Sequence, residues 1–178
     1  DARRILSSAA GRSLGIYGFA KPGPNSLPLP VTEYRDRPIA SFQGNDRNIA
    51  ALVPRFGPDG KHHATSSAIE YAVTSLRVSH VIVLGHSFCG GVRSCYDMCA
   101  GHAPELEEKS SFVGRWLDIL RPGVQSLPEG LVGEEALRAL ERQAVLVSLE
   151  NLMSFPMVRS AIDEGHVTLH GLWADIAG

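Results

Sequence analysis

Cysteine is scarce in this 178-residue chain: it has three, all between residues 89 and 99, and none among the first 46. So small, odd and clustered a set suits a reduced compartment, the cytoplasm by default, and a metal or thiol role better than structural bridges. An excess of one charge is also lacking, with 17 Lys plus Arg against 19 Asp plus Glu. The chain therefore has no electrostatic footprint for nucleic acid or for an acidic membrane surface. No run approaches the ~18 apolar residues of a membrane span, and the opening residues carry no signal-peptide pattern, so a soluble protein is expected. The length suits a single domain over residues 1–178 that buries roughly two thirds of its unfolded surface.

Residues 1–46 are the atypical part. A short helix is expected around Ile5, Leu6, Ala9 and Ala10. The proline-rich "KPGPNSLPLPVTEYRDRPIASFQGND" then excludes a central strand or long helix. From residue 47 the text becomes regular. "RNIAALVPRF" is apolar up to Pro54. "TSSAIEYAVTSLRV" predicts a helix capped by Thr65 and Ser66, with Glu70 and Tyr71 serving helix start and core packing. "HVIVLGH" has the β-branched, unalternating pattern of a parallel strand buried on both faces. Helices are expected at "VRSCYDMCAG", at 112–121 with Phe112, Trp116, Ile119 and Leu120 on one side and Pro122 ending it, at "EEALRALERQAVLVSLENLMSF" stopped by Pro156, and at "PMVRSAIDEG" closed by Gly165. "HVTLHGLWADI" reads as a strand. This order predicts an α/β fold, a mainly parallel central sheet flanked by helices.

The chemistry centres on "VIVLGHSFCGG". Ligands in open α/β sheets collect beyond the carboxyl ends of strands, where His86 and Cys89 stand. Gly90 and Gly91 are expected to allow close backbone approach. Imidazole and thiolate suit zinc, so the pair reads either as half a zinc site or as a strand end followed by a tight turn. Cys95, Cys99, His62 and His63 are further candidate donors, with packing the simpler role for the cysteines and solvation for the histidines. His166 and His170, on one strand face, suggest a second metal site or, more simply, polar edge residues. Trp116 and Trp173 are expected to be core aromatics.

"SSAIEYAVTSLRVSHVIVLGHSFCGGV" resembles the zinc-binding core of β-class carbonic anhydrases. "RNIAALVP", "SFVGRWLDIL", "VLVSLENL" and "NLMSFPMVRSAIDEGHVTLHGLWADI" are similar to further family segments in the right order. The resemblance covers about residues 47–178 and implies a β-carbonic anhydrase-like fold, Zn2+ as cofactor with His86 and Cys89 as ligands, and Arg47 and Asn48 as the Arg-Asn pair near sheet and interface. It further implies reversible hydration of CO2 to bicarbonate and a homodimer or dimer of dimers. The family's other zinc ligand lies in a C-x-D-x-R motif, and the corresponding place here, "PGPNSLPLPV", has no Cys, Asp or Arg. Either Asp1 and Arg3 are the remnant of that motif, as the catalytic dyad, or the proline-rich segment replaces it; spacing favours replacement. Two alternatives to CO2 hydration follow: hydrolysis of carbonyl sulfide or carbon disulfide by the same kind of site, and a fold-retaining homologue that acts as a non-enzymatic binding or structural protein.

Overall fold

The computed structural model describes residues 50, 52–58 and 64–176. Asp1, Arg3, Arg47, Asn48, His62 and His63 lie outside the described residues, as does the helix expected near the start of the chain.

Strand β1 (His80–His86) pairs in parallel with β2 (Thr168–Ala174), from His80 opposite Thr168 to His86 opposite Ala174. All the helices between them belong to the crossover, so the expected α/β architecture with a parallel sheet holds. Among the described residues no helix is long and apolar enough to cross a membrane.

Helix α1 (Ala64–Glu70) precedes the sheet and passes into a π-helical turn, Tyr71–Ser75. The Thr74 hydroxyl donates to Glu70 O at 2.7 Å, and Leu76 N–H reaches back five residues to Tyr71 O. Such back-bonding by a threonine side chain competes with the regular ladder. The expected cap is displaced, because the helix begins at Ala64 and places Thr65 and Ser66 in its first turn. Tyr71 does not pack in the core; it is 60% exposed.

Beyond β1 come α2 (Gly90–Cys99), a 3-10 turn at Pro104–Glu107, α3 (Phe112–Leu117), a 3-10 turn at Asp118–Leu120 and α4 (Arg121–Gln125). Two expectations for 112–121 fail. Phe112 is 82% exposed, on the side away from Leu117 and Leu120, which are fully buried. Pro122 does not end the helix but opens α4 from its first turn, where a missing N–H costs nothing. Pro156 likewise starts α6 (Pro156–Asp163), while the long helix α5 (Gly133–Leu152) has already ended. As expected, Gly165 follows α6 with φ +74°.

Helix α5 is shared by two hydrophobic cores. Val145, Leu149 and Leu152 join Val81, Val83, Phe155, Val158 and Leu169 against the sheet. Leu140, Ala144 and Val147 join Val92, Cys95, Leu117 and Leu120 under α2–α4. Each fully buried leucine among them contributes about 1.5–3 kcal/mol. The polar residues of this buried helix are employed as well: Ser148 accepts Val53 N–H at 3.2 Å and Asn151 donates to Val53 O at 2.8 Å, pinning residues 52–56 along it.

Among the described residues, close approach to glycine is tightest at two places. A Cβ at Gly85 would stand 2.7 Å from Val145 Cγ2, and one at Gly114 would stand only 1.7 Å from the backbone oxygen of Leu106. Gly90, where close approach was expected, faces open space. Gly114→Ala should therefore destabilise the protein by at least about 2 kcal/mol, while Gly90→Ala stays within about 0.5 kcal/mol of wild type, as read by urea unfolding. Equal midpoints for the two variants would refute this packing.

Candidate functional site

The carboxyl end of β1 delivers His86, the turn Ser87-Phe88 follows, and Cys89 is the N-cap residue of α2. Both predicted donors therefore belong to one short turn at the end of β1, which is buried on one face rather than the two expected: Val81 and Val83 are buried, whereas Ile82 between them is 48% exposed. His86 is half-buried, and its Nδ1 lies 2.8 Å from Ser87 O. A carbonyl only accepts, so Nδ1 carries the proton, and Nε2 of the neutral ring keeps its lone pair available for a metal. Fixing the tautomer through the other ring nitrogen is how metal-binding histidines are usually oriented. Cys89 is buried, with a free thiol. One nitrogen and one sulfur donor fit zinc in kind and make up half of a tetrahedral set. Among the described residues there is no group of three or more His, Cys, Asp or Glu side chains able to hold a metal ion.

Phe88, between the two donors, has φ +57°. For a bulky residue this left-handed conformation costs roughly 1–2 kcal/mol and persists only where the surroundings impose it. Helix α5 supplies part of that constraint. Arg138 places its guanidinium carbon 4.0 Å from the centre of the exposed Phe88 ring. Its Nη1 donates to Glu141, 2.8 Å from Oε1 and 2.9 Å from Oε2, and its Nη2 donates to Glu134 at 2.9 Å. Glu141, only 2% exposed, accepts Cys89 N–H on Oε1 at 3.2 Å. At the end of the same group, Arg93 pairs with Glu134 at 2.6 Å, which holds the Glu134 carboxyl below its ordinary pKa.

Reading the sequence alone missed Glu141, Arg138 and Phe88. In "EEALRALERQ" Glu141 looks like any surface glutamate of a charged helix. Its interval of four residues from Leu137 and Ala144's neighbour Val145, both on the buried side, was the only available signal.

The other candidate donors are used elsewhere. Cys95 is fully buried and its thiol donates to Leu117 O at 3.4 Å. Burial first, and Cys99 second, push its pKa up to about 12. Cys99 packs half-buried against the same core. His166 precedes β2 and lies exposed 3.5 Å from Glu164, so it does not share a strand face with His170. His170 instead meets His80 across the sheet, Nε2 to Nδ1 at 3.0 Å, and its pKa is lowered by burial and then by His80. Trp116 and Trp173 are half-buried rather than central; Trp173 is covered by the Arg142 guanidinium, 4.1 Å from its ring centre.

Removing the buried carboxylate should be costly. Glu141→Leu strands the buried Cys89 N–H and leaves Arg138 with Glu134 as its remaining carboxylate partner, and is expected to lower stability by about 2–4 kcal/mol, whereas Glu141→Gln retains an acceptor and loses less. Urea unfolding of the two variants checks the order. For Cys95, the folded pKa lies above the ordinary value of 9.0, so its contribution to stability is complete below that pH and is lost as pH rises through about 12. Iodoacetamide at about pH 8, which requires thiolate, should accordingly label Cys95 only after unfolding, as read by peptide mass spectrometry. Rapid native labelling would contradict the buried-thiol assignment.

Comparison with known proteins bears on this geometry. The carbonic anhydrase family profile matches residues 45–178. Beta carbonic anhydrase 3 of Arabidopsis thaliana is 33% identical over 132 residues, 72% of this chain and 50% of that protein. Carbonic anhydrase 1 of Escherichia coli O157:H7 is 36% identical over 133 residues, 73% of this chain and 57% of that protein. The chain thus spans about half the length of these curated relatives. Among solved structures, the β-carbonic anhydrase CcaA superimposes with a TM-score of 0.60 at 27% identity, covering 71% of this chain and 60% of that one. Tetrameric β-carbonic anhydrases from Sordaria macrospora give a TM-score of 0.54 at 25% identity, covering 72% of this chain and 60% of theirs. With the family's sequence pattern, its fold, and an imidazole and thiol on the turn after β1, the chain belongs to the β-class carbonic anhydrase family.

Proposed function

We propose that this protein catalyses the reversible hydration of CO2 to bicarbonate, with Zn2+ held by Nε2 of His86 and Sγ of Cys89 together with donors outside the described residues. The observation that carries the reading is the turn itself. His86 Nδ1–H donates a hydrogen bond to Ser87 O, which leaves Nε2 as a lone-pair donor three residues before the free Cys89 thiol at a strand's carboxyl end. When bound there, zinc acts as a Lewis acid that lowers the pKa of a water molecule toward ~7, the magnitude familiar from carbonic anhydrase itself.

The chain's own residues have defined parts in this scheme. Ser87 O fixes the tautomer and plane of the His86 ring. Glu141 holds the backbone of Cys89 through its N–H, so the thiol is carried on a rigid helix start. Arg138 keeps the Phe88 ring against α5 at the edge of the turn. Assembly as a homodimer or dimer of dimers belongs to the same proposal. It is supported by the tetramers formed by the Sordaria macrospora enzymes.

Elemental analysis of the purified full-length protein is expected to give about one zinc per chain, and stopped flow with a pH indicator should show proton release on mixing with CO2. His86→Ala and Cys89→Ala should each lose the metal and at least a hundredfold of the rate. A protein with no stoichiometric zinc and no proton release overturns the reading.

A further inference from the structure

We propose that Ser87 and Asp175 are positioning residues of the metal-binding turn, a clasp from β2 that holds His86 and Cys89 in register; the inference rests on the zinc reading above. Ser87 is fully buried, although it sits between a half-buried histidine and an exposed phenylalanine. Its backbone and side chain make three bonds to the end of β2 and the two residues beyond it. Ser87 N–H donates to Ala174 O at 2.9 Å, which extends the parallel ladder one residue past His86. Its hydroxyl donates to Asp175 Oδ1 at 2.7 Å and accepts Ile176 N–H at 2.8 Å. The hydroxyl thus bonds as donor and acceptor at once, and the carboxylate makes one of these bonds charge-assisted.

Two features connect this clasp to the metal donors. The carbonyl that orients the His86 ring is that of Ser87, so any rotation of the Ser87 peptide turns the imidazole with it. The next residue, Phe88, is held at φ +57°, and a strained backbone relaxes when its anchors are removed. Glu141 and Arg138 anchor the Cys89 side of that strained residue. Ser87 anchors the His86 side, and Asp175 holds the hydroxyl of Ser87. Cutting the clasp leaves the Phe88 strain free to rotate the peptide that aims Nε2. The expected loss is therefore in metal affinity and geometry, beyond any loss of fold.

The test uses Co2+ as a spectroscopic probe on the full chain, in wild type and in Ser87→Ala, Ser87→Thr, Asp175→Ala and Cys89→Ser. The readouts are Co2+ affinity by chelator competition and the thiolate-to-cobalt charge-transfer and ligand-field bands, taken well below the unfolding temperature. Ser87→Ala and Asp175→Ala are expected to weaken Co2+ binding about 10–100-fold, the usual effect of losing an outer-sphere partner, and to shift the bands. Ser87→Thr, which retains the hydroxyl, should restore both. Should Ser87→Ala fail to fold by circular dichroism, Asp175→Ala decides, because Asp175 is exposed whereas Ser87 is fully buried. Wild-type affinity and bands in a folded Ser87→Ala or Asp175→Ala protein overturn the clasp while leaving the zinc reading intact, provided that Cys89→Ser loses the charge-transfer band. A wild type without that band overturns both.

Discussion

The contact on which the rest of this structure depends is the close approach of α5 to β1 at Gly85. With no Cβ there, Val145 settles against the strand, and the helix can face the sheet core and the α2–α4 core together. That placement also puts Glu141, one helical turn before Val145, beneath the start of α2. A larger residue at position 85 would push the helix away and withdraw the carboxylate from the Cys89 N–H. The packing of a core and the shape of a candidate metal site are set by one steric fact.

A buried glutamate is normally a liability, since desolvation of the charge outweighs much of what its partner returns. Here Glu141 has both an arginine and a backbone N–H, and Arg138 also covers Phe88. The result is a strained turn constrained on each side: from α5 through charge and cation–π contact, and from β2 through hydrogen bonds to Ser87. Rigidity of this kind suits a metal site, whose donors must hold their directions before the ion arrives. What this chain displays in its described residues is one imidazole and one thiol carried on a single turn.

Sequence patterns revealed elements best where they rested on long runs or on strong signals. The β-branched "HVIVLGH" became β1, the helix formers from Gly133 became α5, and Gly165 closed α6. They misled where a local signal had two structural uses. Pro122 and Pro156 can stop one helix or start the next, and each starts one. Phe112 fits a helical stripe by spacing, yet it opens α3 and stands exposed, while Leu117 and Leu120 take the buried places. Thr74, with its hydroxyl on the Glu70 carbonyl, marks a π-turn that apolar spacing does not reveal.

By itself the sequence determined the parallel α/β pattern and the family, and it singled out the pair His86 and Cys89, because these rest on neighbours in the chain: a β-branched strand, a tight turn and two donor side chains within four residues. Only the tertiary structure decided what holds that pair. Glu141 lies 52 residues from Cys89, and Asp175 lies 88 from Ser87. Spacing over such distances carries no directional information; it takes the pairing of β2 with β1 and the seating of α5 on Gly85 to bring the carboxylates to the turn.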